Sequence, residues 1–228
     1  MEHKEYSGSQ QLEAMREAVR YNAHLTGLVV RHAAGAARAV DFGAGIGTFS
    51  GFVREAGLDV VCVELDAAQR GQLERQGFVA HAALDAFPDA SVDYVYSLNV
   101  LEHIDDHEAV IGHMRRVLRP GGRLLVYVPA FPCLYTAMDR QVGHVRRYTR
   151  QTLVPLLAGA GFAVETSRYV DSLGFFATLA YKWLGSDTGE INTRALRLYD
   201  RVAFPCSLLL DTLASPFFGK NLLVVARR

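Results

Sequence analysis

Short apolar runs alternate with amphipathic stretches along most of this chain. Residues 10 to 34 read as one helix, with Leu12, Met15, Val19, Leu25 and Leu28 at helical spacing. Arg38 to Phe42 (RAVDF) reads as a buried strand, followed by a glycine-rich turn and a helix to about Ala56. Asp59 to Val63 is a second strand, followed by a helix from Asp66 to about Gln76. Phe78 to His81 is a third, short strand, and Asp93 to Ser97 a fourth. Helical spacing over Asp105 to Leu118 stops at Arg119-Pro120-Gly121-Gly122, and Arg123 to Val128 is a fifth strand. Thr149 caps a helix to about Ala160, Phe162 to Tyr169 is a sixth strand, and Leu222 to Ala226 a seventh. Strands alternating with helices at this length argue for βαβ units and a mainly parallel sheet, covered on both faces because its strands are continuously apolar.

Composition narrows this picture without redirecting it. The 228 residues carry 24 Lys and Arg against 24 Asp and Glu, so the net field gives no reason to expect nucleic acid as a partner. Cys62, Cys133 and Cys206 are far apart with no CxxC spacing, so neither a disulfide framework nor a metal site is expected. A cytoplasmic location follows from those cysteines, from the polar start MEHKEYSGSQQ, and from the lack of any apolar run of spanning length.

The sharpest chemical signal is Val40-Asp41-Phe42-Gly43-Ala44-Gly45-Ile46-Gly47. Alternate glycines between a strand and a helix let the main chain turn tightly and approach a ligand. The helix start there offers free N–H groups to a negative group. A dinucleotide fingerprint would need glycine where Thr48 stands, which disfavours a nicotinamide-linked oxidoreductase. Glu64 follows the second strand, where a carboxylate can accept both hydroxyls of a ribose.

VDFGAGIGTFS, the VELD segment, FPDASVDYVYSLNVLEHIDD and RRVLRPGGRLLVYVP together resemble the class I S-adenosylmethionine (SAM)-dependent methyltransferases over residues 36 to 170. The resemblance implies a Rossmann-like α/β fold with strand order 3-2-1-4-5-7-6, the last strand antiparallel, helices on both faces, and SAM as cofactor with S-adenosylhomocysteine as product. It implies that the amino-acid end of SAM lies by Asp41, Gly43, Ala44, Gly45 and Gly47, and the ribose on Glu64. Leu65 then lies beside the adenine, and Asn99 starts the loop under the sulfonium. Many relatives carry an acidic residue after the third strand; here the segment reads Ala82-Ala83-Leu84-Asp85, so Asp85 stands late and Ala83 or Leu84 is the alternative adenine contact. Residues 1–35 are expected as a helical cap bearing Tyr6 and Tyr21, acting as a lid or packed on the sheet.

Methyl transfer from a sulfonium needs alignment, dryness and, for a hydroxyl acceptor, a proton acceptor. Asp139 to Tyr148 follows the fifth strand on the ligand side. There His144 could take a proton, Asp139 orient it, and Arg146, Arg147 and Tyr148 hold an anionic acceptor; equally, the segment could simply dock over the cofactor. His103, after the fourth strand, either reacts or shapes the pocket, and Glu102 is expected to support the loop. Residues 171–218 form a helical, apolar insertion before the final strand at 219–228. Arg194, Arg197 and Arg201 share one helical face opposite Leu196, Tyr199, Val202 and Ala203, and Pro205 is expected to interrupt the helix. Such a surface suits a satellite core, a small-molecule or lipid-like acceptor, a peripheral membrane contact or a homodimer. A SAM-binding module without catalysis remains an alternative, since a glycine loop reports binding and not turnover.

Overall fold

The computed structural model describes residues 16–33, 35–184 and 193–228, Leu184 by its main chain only. The strands are β1 (Arg38–Phe42), β2 (Asp59–Val63), β3 (Val79–His81), β4 (Val92–Leu98), β5 (Leu118–Pro129), β6 (Ala163–Val170) and β7 (Asn221–Arg227). They form one sheet in the order β3-β2-β1-β4-β5-β7-β6, the order expected. β7 runs antiparallel to β5 and β6, and the other pairings are parallel. The helices are α1 (Val19–Ala33), α2 (Thr48–Glu55), α3 (Ala67–Arg75), α4 (His107–Val117), α5 (Ala137–Val142), α6 (Arg150–Gly159), α7 (Ser172–Leu184), α8 (Thr193–Leu198) and α9 (Phe204–Ala214).

Alternate strand residues feed two cores, one on each face of the sheet. Leu124, Val126 and Val128 of β5 pack with Ile111 and Met114 of α4 and with Leu153 and Leu157 of α6. Leu125 and Tyr127 pack on the opposite face with Leu25, Leu28 and Val29 of α1, Val53 of α2 and Leu73 of α3. Burial on both faces is the reason these strands read as unbroken apolar runs.

Three local expectations are revised. The pairing of β4 with β5 jumps from Val92↔Leu118 to Tyr94↔Arg123, so Arg119 to Gly122 bulges out of a longer strand and does not precede it. The turn Gly121 makes is left-handed, with φ 80°. Pro205 does not break the helical path either: a π-helical turn over Tyr199–Ala203 runs directly into α9, and Pro205 sits in the first turn of that helix. The wider turn accommodates the missing N–H and the ring there. Val202, expected on an apolar inner side, is 56% exposed.

The insertion is tied to the sheet by two buried carboxylates. Asp211 accepts hydrogen bonds from the main-chain N–H of Asp171 (2.8 Å) and Ser172 (2.9 Å), capping α7. Asp200 accepts from the N–H groups of Arg20 (3.0 Å) and Tyr21 (2.8 Å), capping α1 from the far end of the chain. Tyr21 packs edge-on against Tyr127 and Phe204. α1 is thus a packed layer on the sheet; Tyr6 lies outside the described residues.

Candidate active site

The ligand side of an open α/β sheet is the carboxyl edge of its parallel strands. Strain gathers along that edge. Asn99 after β4, Phe131 after β5 and Asp171 after β6 are non-glycine residues with φ of 55°, 59° and 65°. Such conformations cost about 1–3 kcal/mol each and persist where the surroundings enforce them, commonly at functional sites. Asn99 is pinned by its N–H donating to the Tyr127 carbonyl at 2.8 Å.

The glycine turn between β1 and α2 uses left-handed main chain at Gly43 (φ 80°), Gly45 (55°) and Gly47 (83°), a path closed to most side chains. Glu64, at the end of β2, accepts from the Gly45 N–H at 2.8 Å and from the Asp66 N–H at 2.9 Å. Each carboxylate oxygen keeps a further lone pair for a ribose hydroxyl. Leu65 next to it is 76% exposed, free to lie against a flat ring. Asp41, below the turn, is 3% exposed and accepts from Ser50 Oγ at 2.6 Å. Burial pushes its carboxyl up to about 7, a group short of a positive neighbour such as the α-ammonium of SAM. These features fit SAM: a cation partner, a diol acceptor and an exposed apolar side chain follow one another along the edge.

The adenine end is less complete. Ala83 is exposed, but the Leu84 side chain turns into the core at 3% exposure. Asp85 pairs with His113 (3.2 Å) and Arg116 (3.5 Å), which directs it to α4. The Ala83 side chain stays on the surface, while the Leu84 side chain is engaged in the core and Asp85 with the cations of α4, which leaves the main chain of Ala83 and Leu84 for an adenine contact.

The acceptor end is built from the turn after β4 and the segment after β5. Val100 packs against Gly43, and the turn Leu101–His103 follows directly. α5, unforeseen from sequence, opens with a capping box in which Thr136 and Asp139 bond reciprocally. Asp139 is 1% exposed and serves three groups. It accepts from Thr136 N–H (2.8 Å), from Arg147 through both oxygens (2.9 Å each), and from His144 Nδ1 (2.7 Å). Burial alone would raise this carboxyl, but the His144 and Arg147 hydrogen bonds and the Arg147 charge outweigh it and hold it well below the usual carboxylate range. An ionised carboxylate only accepts, so His144 donates from Nδ1 and turns Nε2 the other way.

Nε2 faces Glu102, whose Oε1 lies 3.7 Å away. Glu102 is fully buried, and no other described residue hydrogen-bonds either carboxylate oxygen. Burial pushes its pKa up to about 8, offset only in part by its own main-chain N–H and the Arg147 charge. The His103 ring meets the His144 ring edge-on, centroids 4.6 Å apart. Burial lowers its pKa to about 4, leaving it neutral. Against the expectation of no metal site, the donor atoms of Glu102, His103 and His144 all lie within 4.8 Å of one another.

Arg146, Arg147 and Tyr148 are engaged within the protein. Arg146 donates to the carbonyls of Ile104 (2.5 Å) and Asp105 (3.1 Å), and Arg147 to Asp139 and the Ala130 carbonyl (3.2 Å). Tyr148 is 2% exposed and its hydroxyl donates to the Leu101 carbonyl at 3.1 Å. They dock the segment on the β4 turn, the second of the two readings of this stretch. No spacing rule connects Arg146 to carbonyls some forty positions earlier.

A methyltransferase-domain family profile matches residues 12–167. A probable SAM-dependent methyltransferase of Mycolicibacterium smegmatis is 38% identical over 104 residues, covering 45% of this chain and 37% of that one. The malonyl-[acyl-carrier protein] O-methyltransferase of Enterobacter lignolyticus is 30% identical over 143 residues, covering 57% of each. The chain therefore spans about a third to a little over half of these curated relatives. The same fold is found in geranyl diphosphate C-methyltransferase of Streptomyces coelicolor, crystallised with Mg2+, geranyl diphosphate and S-adenosyl-L-homocysteine (TM-score 0.62, 18% identity, 92% of this chain and 80% of that one). With its strand order, glycine turn and Glu64 in place, this chain belongs to the class I SAM-dependent methyltransferase family.

Proposed function

We propose that this chain transfers the methyl group of SAM to a polar, proton-bearing group at the end of an apolar, lipid-like acceptor. The observation that carries the reading is the Asp139–His144–Glu102 arrangement at the carboxyl edge, next to the turn whose Val100 packs on the glycine loop. SAM, when bound, supplies the activated methyl and its own leaving group. The protein orients the acceptor, keeps water out and receives its proton. His144, its ring fixed by Asp139, stands at the acceptor's polar end. Asp139 and Arg147 act as positioning residues.

The insertion supports the apolar acceptor. The exposed positions of α7 include Phe176, Ala177, Ala180 and Trp183, one helical face. Those of α9 and the turn after it include Cys206, Leu209, Leu210, Leu213 and Phe217. The two helices pack together, and Phe176 meets Phe218 beside Phe217, ring centroids 5.4 Å apart. Among the described residues of the insertion, the acids Asp171, Asp200 and Asp211 are buried, while Lys182, Arg194, Arg197 and Arg201 are exposed, Arg197 pairing with Glu17 (3.2 Å) and Lys182 donating to the Cys133 carbonyl (2.7 Å). An apolar face bordered by cations suits the surface of an anionic bilayer. No helix among the described residues is long and apolar enough to cross a membrane. A structural neighbour of the same fold, a C-methyltransferase, was crystallised with geranyl diphosphate, a ligand with an apolar chain.

The experiment is incubation of the purified protein with methyl-labelled SAM and a lipid extract, products identified by mass spectrometry. Label in a lipid fraction, reduced in His144→Ala at unchanged SAM affinity, is the expected result. Absence of SAM binding by calorimetry would sink the reading. Sedimentation with phosphatidylglycerol vesicles tests the surface; sedimentation only as a dimer without vesicles would replace the bilayer with a second copy.

A further inference from the structure

We propose that Glu102, His103 and His144 bind a divalent first-row transition-metal ion at the carboxyl edge of β4. The site stands on its own geometry; only the ion's use rests on the methyltransferase reading.

The three donors differ in chemistry and agree in direction. Their atoms lie within 4.8 Å of one another, and Glu102 Oε1 to His144 Nε2 is 3.7 Å. Donors about 2.1 Å from a shared ion sit roughly 3 to 3.5 Å apart, so closing the set asks for a small side-chain movement.

The second observation is independent of that proximity. Glu102 is a fully buried carboxyl to which no other described residue hydrogen-bonds, His144 Nε2 standing off at 3.7 Å. Leaving such a group without a partner costs about 1–3 kcal/mol or more, and buried charges in proteins are paired or coordinate metals. Arg147, the nearby guanidinium, is spent on Asp139. An ion between Glu102 and the two rings would supply the missing partner.

The surrounding shell is also of the kind that metal ligands have. Ligating histidines donate their other ring nitrogen to a carboxylate or a main-chain carbonyl, which fixes the tautomer. His144 does so to Asp139 at 2.7 Å, and the His103 ring is hydrogen-bonded to the main chain of Gly143. Asp139 is in turn fixed by Thr136 and Arg147. Two imidazoles and one carboxylate favour Zn2+, Fe2+ or Co2+ over Mg2+ or Ca2+, which prefer oxygen donors. Three protein ligands leave open coordination positions, where an acceptor hydroxyl would be polarised and made more acidic. His144 would then act on the acceptor through the ion.

The test uses the tag-free full chain, stripped with a chelator and titrated with Co2+ while its visible absorption is followed. One equivalent should bind with the ligand-field bands of a nitrogen- and oxygen-coordinated ion. Glu102→Gln and His144→Ala should each weaken binding at least tenfold. Asp139→Asn should weaken it by about 10–100-fold through His144. Circular dichroism melts confirm that each variant is folded, and Glu102→Gln, which keeps the side chain's shape, is the deciding one. An unchanged spectrum on adding Co2+ to the parent chain, or equal affinity in parent and Glu102→Gln, overturns the site. SAM is titrated into the same preparation: a chain that binds SAM and not Co2+ sinks the metal alone, and one that binds Co2+ and not SAM sinks the methyltransferase reading alone.

Discussion

The two ends of the crevice are built in opposite ways. The cofactor end is local: Gly43 to Gly47 and Glu64 lie within one βαβ unit, and main-chain shape does most of the work. The acceptor end is assembled from afar. Glu102 and His103 come from the turn after β4, Asp139 and His144 from the segment after β5, and Asp200 and Asp211 fix the insertion beside them. A site made of main chain tolerates changes at a distance. One made of converging side chains depends on every docking contact.

Variants at the two ends should therefore separate stability from cofactor binding. The largest effect is expected from Asp139→Ala, which strands the buried Arg147 charge and unpins His144. It should lower unfolding free energy by about 3–5 kcal/mol in urea melts. A loss below 1 kcal/mol would mean that the acceptor end is not held by this carboxylate. Gly45→Val should leave the fold close to intact and weaken SAM on the order of 100-fold by calorimetry, because a β-branched residue cannot easily adopt its left-handed conformation. Glu64→Ala should cost about 1–3 kcal/mol of SAM affinity through lost charged hydrogen bonds, with little change at the acceptor end.

A pH series adds a smaller, graded effect. Asp41 titrates near 7 in the folded chain and near 4 unfolded, so between those values the folded chain holds a proton that the unfolded chain has lost. Its contribution to stability falls as pH rises through that window, by at most about 1.4 kcal/mol per unit. SAM affinity should move the other way, rising up to about tenfold per unit until pH 7 as the ammonium takes the place of the proton. An affinity independent of pH would remove Asp41 from the cofactor end. The smallest change in stability is expected for Leu213→Asp on the open face of α9, within about 0.5 kcal/mol, since the side chain is 76% exposed. Vesicle binding should nonetheless drop several-fold.

Much of the fold was legible because it is periodic. β2 was placed to the residue, and α3 and α4 begin beside Asp66 and Asp106, acids that cap them at three positions' distance. The glycine turn and Glu64 were legible for the same reason, since spacing within one βαβ unit maps directly onto geometry. The bulge at Arg119 to Gly122 was read as a stop because Pro-Gly-Gly ends local structure, whereas the pairing partner Val92 continues it. Docking by Arg146 was one of two readings of its segment, and the engagement of Asp85 was not legible, since it depends on cations brought near by packing.

The chain's own order of apolar, glycine and acidic positions determined the strands, most helices, the sheet class and the cofactor loop, because each is specified by residues within a turn or two of one another. Only the tertiary structure decided that Asp200 caps a helix 180 positions earlier, that the Arg146 guanidinium is spent on carbonyls, and that a buried Glu102 faces two imidazoles. Those outcomes follow from long-range packing and desolvation, which depend on what surrounds a residue in space and leave no period in the sequence.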